Sequence, residues 1–164
     1  MKLYKSLVLL CLCVFCTLTS SSQNFINHRG QDLFLNGINV AWMDYGNDLT
    51  MFDSEEWTNI CQNVVKAGGN SIRWWIHVDG RSTPTFDNDT KLVTGISADA
   101  LKNLTLAMDI AASNGVVVSL CLWSKDMMSK SDNSNSSVYR ARNELLLNNV
   151  DATNAYINNA LIPM

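Results

Sequence analysis

Hydrophobic and polar positions divide this chain into an apolar leader followed by short segments of alternating period. Leu7 to Leu18 is an almost unbroken apolar run, preceded by Lys2 and Lys5 and followed by the small polar residues Thr19 to Ser22. A positive start, an apolar centre and a small polar end, in that order, read as a secretory signal peptide over residues 1–22. The run is shorter than the roughly 20 residues a membrane-spanning helix needs. The expectation is therefore a secreted, extracellular protein over residues 23–164, with no membrane attachment once the signal is cleaved.

Beyond the leader, Phe25 to Leu35 reads as a small hairpin turning at His28-Arg-Gly-Gln31. Gly37 to Ala41 reads as a short strand. Asp53 to Ala67 has helical spacing, with Asp53 as cap, Glu56 three residues on, and a stripe of Trp57, Ile60, Cys61, Val64 and Val65. Gly68-Gly69 ends it. Asn70 to His77 is the next strand. Ser97 caps a second helix to Asn114, buried through Leu101, Leu104, Met108 and Ala111. Val116 to Trp123 is a continuous apolar run, which suits a strand covered on both faces. A polar loop spans Ser129 to Ser137, and Val138 to Leu147 reads as helix. Asp151 can cap a last helix whose Ile157, Ala160, Leu161 and Met164 share a face.

The order is a hairpin and then β-α-β-α-β-α. Strict alternation predicts an α/β fold with a parallel sheet and right-handed crossovers. The long segments follow strands (Trp42 to Phe52, Val78 to Ile96, Ser124 to Ser137), whereas helix-to-strand turns are short. Sites in such folds sit at the C-terminal ends of the strands.

Charge and cysteine content narrow the partners. Lys and Arg total 12 and Asp and Glu total 15; with Lys2 and Lys5 removed, the remainder is more acidic still. Nucleic acid is excluded as a partner, since phosphate binding needs a basic face. Of five cysteines, only Cys61 and Cys121 lie beyond the leader. They could pair, but two buried free thiols are the favoured reading, and neither has the neighbours of a metal site. No metal or cofactor is called for. Asn88, Asn103 and Asn135 begin Asn-x-Ser/Thr triplets and are candidate glycosylation sites.

In the second strand, alternation puts Ser71, Arg73, Trp75 and His77 on one face and Ile72, Trp74 and Ile76 on the other. An inward Arg would need an acidic partner. Trp and His at a strand's end suit sugar, the ring stacking on a pyranose and the imidazole bonding hydroxyls. A structural Arg with packed aromatics fits the same spacing equally well. Ser119, Cys121 and Trp123 share a face of the third strand, and the first strand presents Gly37, Asn39 and Ala41. Trp42, Asp44, Tyr45 and Asp48 occupy the first rim loop. Substrate-binding candidates are thus Trp42, Asp44, Trp75, His77, Asp79 and Trp123, although each Trp taken singly fits packing too.

The stretches Leu35-Asn-Gly-Ile-Asn-Val-Ala-Trp42, Ala67-Gly-Gly-Asn-Ser-Ile-Arg-Trp-Trp-Ile-His77 and Val117-Val-Ser-Leu-Cys-Leu-Trp123 resemble the opening strands of family 5 glycoside hydrolases, most of all the endo-β-1,4-mannanase type. Asp79-Gly-Arg81, Pro84, Val93-Thr-Gly95 and Tyr156 to Met164 add to the likeness. The resemblance implies an incomplete (β/α)8 TIM barrel, its first three βα units following the hairpin. It implies a retaining hydrolase of β-1,4-linked polysaccharide, mannan or β-glucan. Arg73 matches the family Arg that steadies the nucleophilic carboxylate. The family's acid/base and nucleophile glutamates follow the fourth and seventh strands and stand about 5 Å apart. Here Glu55, Glu56 and Glu144 all fall on predicted helices. A barrel of this kind takes about 250 residues, so the chain reads as an N-terminal portion lacking both catalytic glutamates, inactive by itself. The alternatives are a secreted carbohydrate-binding protein without catalysis and a small α/β domain with no glycan role.

Overall fold

The computed structural model describes residues 25–28, 30–128 and 134–164, and the predicted signal peptide lies outside them. The described residues fall into two compact units, divided between Phe34 and Leu35. The first is the expected hairpin. β1 (Ile26–His28) pairs antiparallel with β2 (Gln31–Leu33). Asn27 Nδ2 donates to Asp32 Oδ1 at 2.9 Å, and the Phe25 and Phe34 rings meet edge to face at 6.3 Å.

The second unit carries the alternation. β3 (Gly37–Val40), α1 (Ser54–Lys66), β4 (Ser71–Trp75), α2 (Ala98–Ser113) and β7 (Val117–Cys121) follow in order. A two-stranded antiparallel ribbon, β5 (Thr85–Phe86) and β6 (Val93–Gly95), rises from the loop after β4. A 3-10 turn (Lys125–Met128), α3 (Ser134–Asn148), α4 (Val150–Tyr156) and a π-helical turn (Ile157–Leu161) complete it. The sheet order is β3-β4-β7, parallel throughout, as the alternation predicts. The sheet is open, not a closed barrel. Gly37 is required where it stands, because a Cβ there would lie 1.6 Å from the Ser71 carbonyl oxygen. Only glycine lets β3 approach β4 that closely.

The helix caps show how local chemistry sets the ends. Asp53 accepts from the Glu55 and Glu56 amides at 3.0 and 2.9 Å, and Ser97 Oγ accepts from the Ala100 amide. Each cap satisfies donors that the first turn leaves open. Gly68, at φ +83°, supplies the left-handed residue that stops α1.

One face of the sheet is covered. Ile72 and Trp74 of β4, with Ile76 just beyond, pack against Trp57, Cys61 and Val64 of α1 and Leu104, Ala107 and Ala111 of α2. The Trp57 and Trp74 rings lie 4.6 Å apart, and each indole N–H is satisfied, by Ala107 O at 3.0 Å and Asp48 Oδ2 at 2.7 Å. Burying a large apolar side chain is worth about 1.5–3 kcal/mol, so this layer dominates stability. A smaller cluster of Val93, Met127, Leu146, Tyr156 and Ala160 lies under Phe86, Trp123 and Met128.

Several expectations are corrected. Val65 is 44 % exposed, since residues 57, 61 and 64 already define the buried line of α1. In α2 the fully buried positions are Ala100, Leu104, Ala107 and Ala111; small residues, not Leu101 and Met108, sit closest to the sheet. α3 begins at Ser134, inside the segment read as polar loop. Asn149, not Asp151, caps α4 by accepting from the Ala152 amide. Its buried face is Ala152, Tyr156 and Ala160, while Ile157 and Leu161 are exposed. β7 is covered on one face only, leaving Val117 and Ser119 exposed. Cys61 and Cys121 are both free; Cys61 is buried on the sheet-facing side of α1, whereas Cys121 is only half-buried.

Candidate functional site

The open face of the sheet is built by strand parity. In register, Asn39 of β3, Arg73 of β4 and Ser119 of β7 form one row, and Trp75 pairs with Cys121 in the next. These residues alternate with the apolar ones that meet the helices, so the same four or five residues of strand serve both layers. The row is held by side chains. Arg73 Nη1 donates to Asn39 Oδ1 at 2.7 Å, and Nη2 donates to Cys121 Sγ at 2.9 Å. Trp75 Nε1 donates to the same Asn39 oxygen at 2.9 Å, and the Arg73 guanidinium lies 5.0 Å from the Trp75 ring centre. Arg73 therefore has neutral partners, contrary to the expected carboxylate. The physical reason is its exposure: a solvated guanidinium has no desolvation cost to offset.

Trp42 stands at the end of β3, 41 % exposed, and its ring meets Trp75 at 6.0 Å and Tyr45 at 4.8 Å. The rim loop that presents it is fixed from below by Asp48, which is buried. The Asp48 carboxylate accepts from the Met43 amide at 3.0 Å, the Asp44 amide at 2.7 Å and Trp74 Nε1. Asp44 itself is exposed, its carboxylate accepting from Asn47 Nδ2 at 3.3 Å.

The loop after β4 is clamped to the first. Arg81 Nη2 donates to Asp79 Oδ2 at 2.8 Å, and its guanidinium lies 4.5 Å from the Tyr45 ring. The hydrogen bond to Asp79 pushes the Arg81 pKa up, while burial and then the Asp79 charge push the Tyr45 phenol up. Ser82 Oγ donates to Asn47 Oδ1. Asn143 of α3, wholly buried, donates to Asp79 O at 2.8 Å and to Met127 O at 2.9 Å, tying the loops after β4 and β7 to one helix.

The predicted site residues are thus not all together. Arg73, Trp75 and Trp42 share the open face. Asp44 lies on the rim. Asp79 is buried and committed to Arg81. β4 ends at Trp75, and His77, two residues on, is enclosed where Arg73 is open to solvent. His77 is 0 % exposed, with Nδ1 3.0 Å from Thr83 Oγ1 and its ring 4.9 Å from Trp123 and 5.7 Å from Tyr156. Burial holds it neutral, its pKa pushed down to about 3. Trp123 is half-buried in that same aromatic group, 5.7 Å from Tyr156.

Of the glycosylation candidates, Asn88 is exposed in the turn between β5 and β6. Asn103 is half-buried on α2, and its amide nitrogen donates to Leu49 O at 2.9 Å. Asn135 lies in the first turn of α3.

Sequence reasoning placed Asn39 on a small polar face and Asp48 in the first rim loop but gave neither its partners, named Tyr156 only within the closing stretch, and did not single out Asn143. Strand parity could have paired Asn39 with Arg73; the other three depend on long-range contacts. Among the described residues, no group of His, Cys, Asp and Glu could hold a metal ion, and no helix is long and apolar enough to cross a membrane.

These features define a class: parallel β-α units with an aromatic and amide rim at the C-terminal strand ends. No protein-family model matches the chain. Its homologues are nonetheless mannan endo-1,4-β-mannosidases, which bears out the resemblance of its opening strands. It is 30 % identical over 149 residues to that protein of Mytilus edulis, covering 88 % of this chain and 38 % of the relative. It is 33 % identical over 155 residues to that of Cryptopygus antarcticus, covering 90 % and 37 %. The β-mannanase structure of the blue mussel superposes with a TM-score of 0.73 at 28 % identity, over 88 % of this chain and 40 % of that one. The β-1,4-mannanase of Aplysia kurodai gives 0.71 at 31 % identity, over 87 % and 40 %. The chain spans about two-fifths of the length of the relatives it matches.

Proposed function

We propose that this chain forms the opening βα units of a secreted (β/α)8 glycoside hydrolase that cleaves β-1,4-mannan with retention. The open face of β3, β4 and β7 is its share of the substrate cleft. The observation that carries this is the Arg73, Asn39, Trp75 and Trp42 group, a held guanidinium beside one exposed and one half-exposed ring at the strand ends. The homologues' named activity supplies the substrate class. In this reading Arg73 steadies the nucleophilic carboxylate, and Trp42 and Trp75 offer faces for pyranose stacking. Retention needs two carboxylates about 5 Å apart. Glu144 lies on α3, ion-paired with Arg140 at 2.7 Å, and Glu55 and Glu56 lie in the first turn of α1. The catalytic pair therefore comes from the rest of the barrel, and the 164-residue chain is inactive alone. The export signal at residues 1–22 belongs to the same proposal, as delivery to an extracellular polysaccharide.

The test is to assay the purified chain for reducing-sugar release from mannan, and for retention on a mannan column. Retention without hydrolysis is expected, with retention lost in Trp75→Ala. Hydrolysis by the chain alone would remove the claim that its catalytic carboxylates lie elsewhere; no retention would count against the cleft. A second reading, a carbohydrate-binding protein without catalysis, is favoured by the helical position of all three glutamates. Hydrolysis by any longer form of the protein would eliminate it.

A further inference from the structure

Asn39 breaks a local rule. It sits in the interior of a four-residue strand, Gly37-Ile-Asn-Val40, where asparagine is disfavoured. Its side chain is exposed, so it gains nothing from burial. Residues that contradict local preference without a packing gain mark positions kept for another purpose. Its amide oxygen has two lone pairs, and both are used, by Arg73 Nη1 at 2.7 Å and Trp75 Nε1 at 2.9 Å.

We propose that Asn39 is a positioning residue, one acceptor that sets both the Arg73 guanidinium and the plane of the Trp75 ring. Parallel register places Asn39 directly opposite Arg73, so the first bond needs no backbone adjustment. The second reaches along β4 to the next residue on the same face. Arg73 would otherwise have five donors and only Cys121 Sγ to orient it, and its position over the Trp75 ring leaves rotation free. Asn39 removes that freedom for both groups at once. The assignment rests on the reading of this face as the glycan side, because orientation matters there only if a sugar meets the ring and a carboxylate meets the guanidinium.

The experiment uses the full ¹⁵N-labelled chain, with the Trp75 indole resonance assigned by its loss in Trp75→Phe. In the unmutated chain the Trp75 indole proton should exchange more slowly than that of Trp42. In Asn39→Ala the Trp75 indole resonance should shift toward that of solvated indole, while the buried Trp57 and Trp74 resonances stay in place. Asn39→Asp, which keeps the acceptor, should restore it. Affinity for β-1,4-mannohexaose should fall about tenfold in Asn39→Ala, as for loss of one charge-assisted hydrogen bond, and return in Asn39→Asp. An unmoved Trp75 resonance in folded Asn39→Ala overturns the proposal. Should Asn39→Ala fail to fold, exchange at Trp75 as fast as at Trp42 in the unmutated chain overturns it instead. An Asn39-dependent shift in a chain that binds no mannohexaose leaves the positioning standing and sinks the glycan reading.

Discussion

The two faces of β4 hold neighbouring tryptophans in opposite circumstances. Trp74 is fully buried against Trp57 and bonded to a buried carboxylate; Trp75, one residue on, is half-exposed and bonded to an amide in solvent. The covered face is held by area removed from water and by paired buried polar groups. The open face is held by hydrogen bonds that water could replace, which are worth little to folding. The difference teaches that the face that carries stability and the face proposed for recognition are separable here by sequence parity: odd positions 73 and 75 on one side, even positions 72, 74 and 76 on the other.

That separation can be broken most severely at Trp74. Trp74→Ala should cost about 3–5 kcal/mol, read as a lower urea midpoint, because it opens a cavity beside Trp57 and removes one of the three donors to the buried Asp48 carboxylate. A loss as small as that of Trp75→Ala would remove the distinction between the faces. Asp48→Ala should cost about 2–3 kcal/mol, since it leaves the Met43 and Asp44 amides and a buried indole N–H unpaired. It should also loosen Trp42, visible as increased proteolysis within the rim loop.

His77 gives a pH-dependent probe of the second buried group, the aromatic cluster it shares with Trp123 and Tyr156. Its folded pKa, near 3, lies below its unfolded value of 6.5. Between those values the unfolded chain binds the extra proton, so stability falls as pH drops below about 6.5 and its contribution levels off near 3. The slope is at most about 1.4 kcal/mol per pH unit. Thermal midpoints measured from pH 7 to pH 4 should follow it, and His77→Gln should flatten the curve; an unchanged slope would show that other groups govern it.

The smallest effect on folding belongs to the open face. Trp75→Ala should change stability by less than about 1 kcal/mol, yet, on the proposed glycan reading of this face, abolish retention on mannan. Equal losses of stability in Trp75→Ala and Trp74→Ala, measured by the same urea titration, would contradict the comparison from its other end.

Much of this was legible before any coordinates. The caps at Asp53 and Ser97, the stop at Gly68 and the three parallel strands follow from spacing and local hydrogen bonding. So does the shared face of Arg73 and Trp75, which needs only a period of two. His77 reads as a sugar contact in the sequence but is wholly buried with Trp123 and Tyr156, because strand parity does not say what closes over a strand's end. The neutral partners of Arg73 are not legible in the sequence, because spacing alone does not say that this face of the sheet is open. The buried small residues of α2 were missed because hydrophobicity ranks Leu101 and Met108 above Ala100 and Ala107, whereas close approach of helix to sheet favours the alanines.

By itself the sequence determined the order of elements, the parity of each strand and the kinship carried by Leu35–Trp42 and Ala67–His77. These are local or short-period properties, readable wherever sterics and amphipathicity act over a few residues. Only tertiary structure decided that Asp48 supports Trp74 from 26 residues away, that Asn143 ties two rim loops to α3, and that Asn39 serves Arg73 and Trp75 together. Those contacts join residues far apart along the chain, and no periodicity encodes which distant donor will find a given acceptor until the sheet has brought them together.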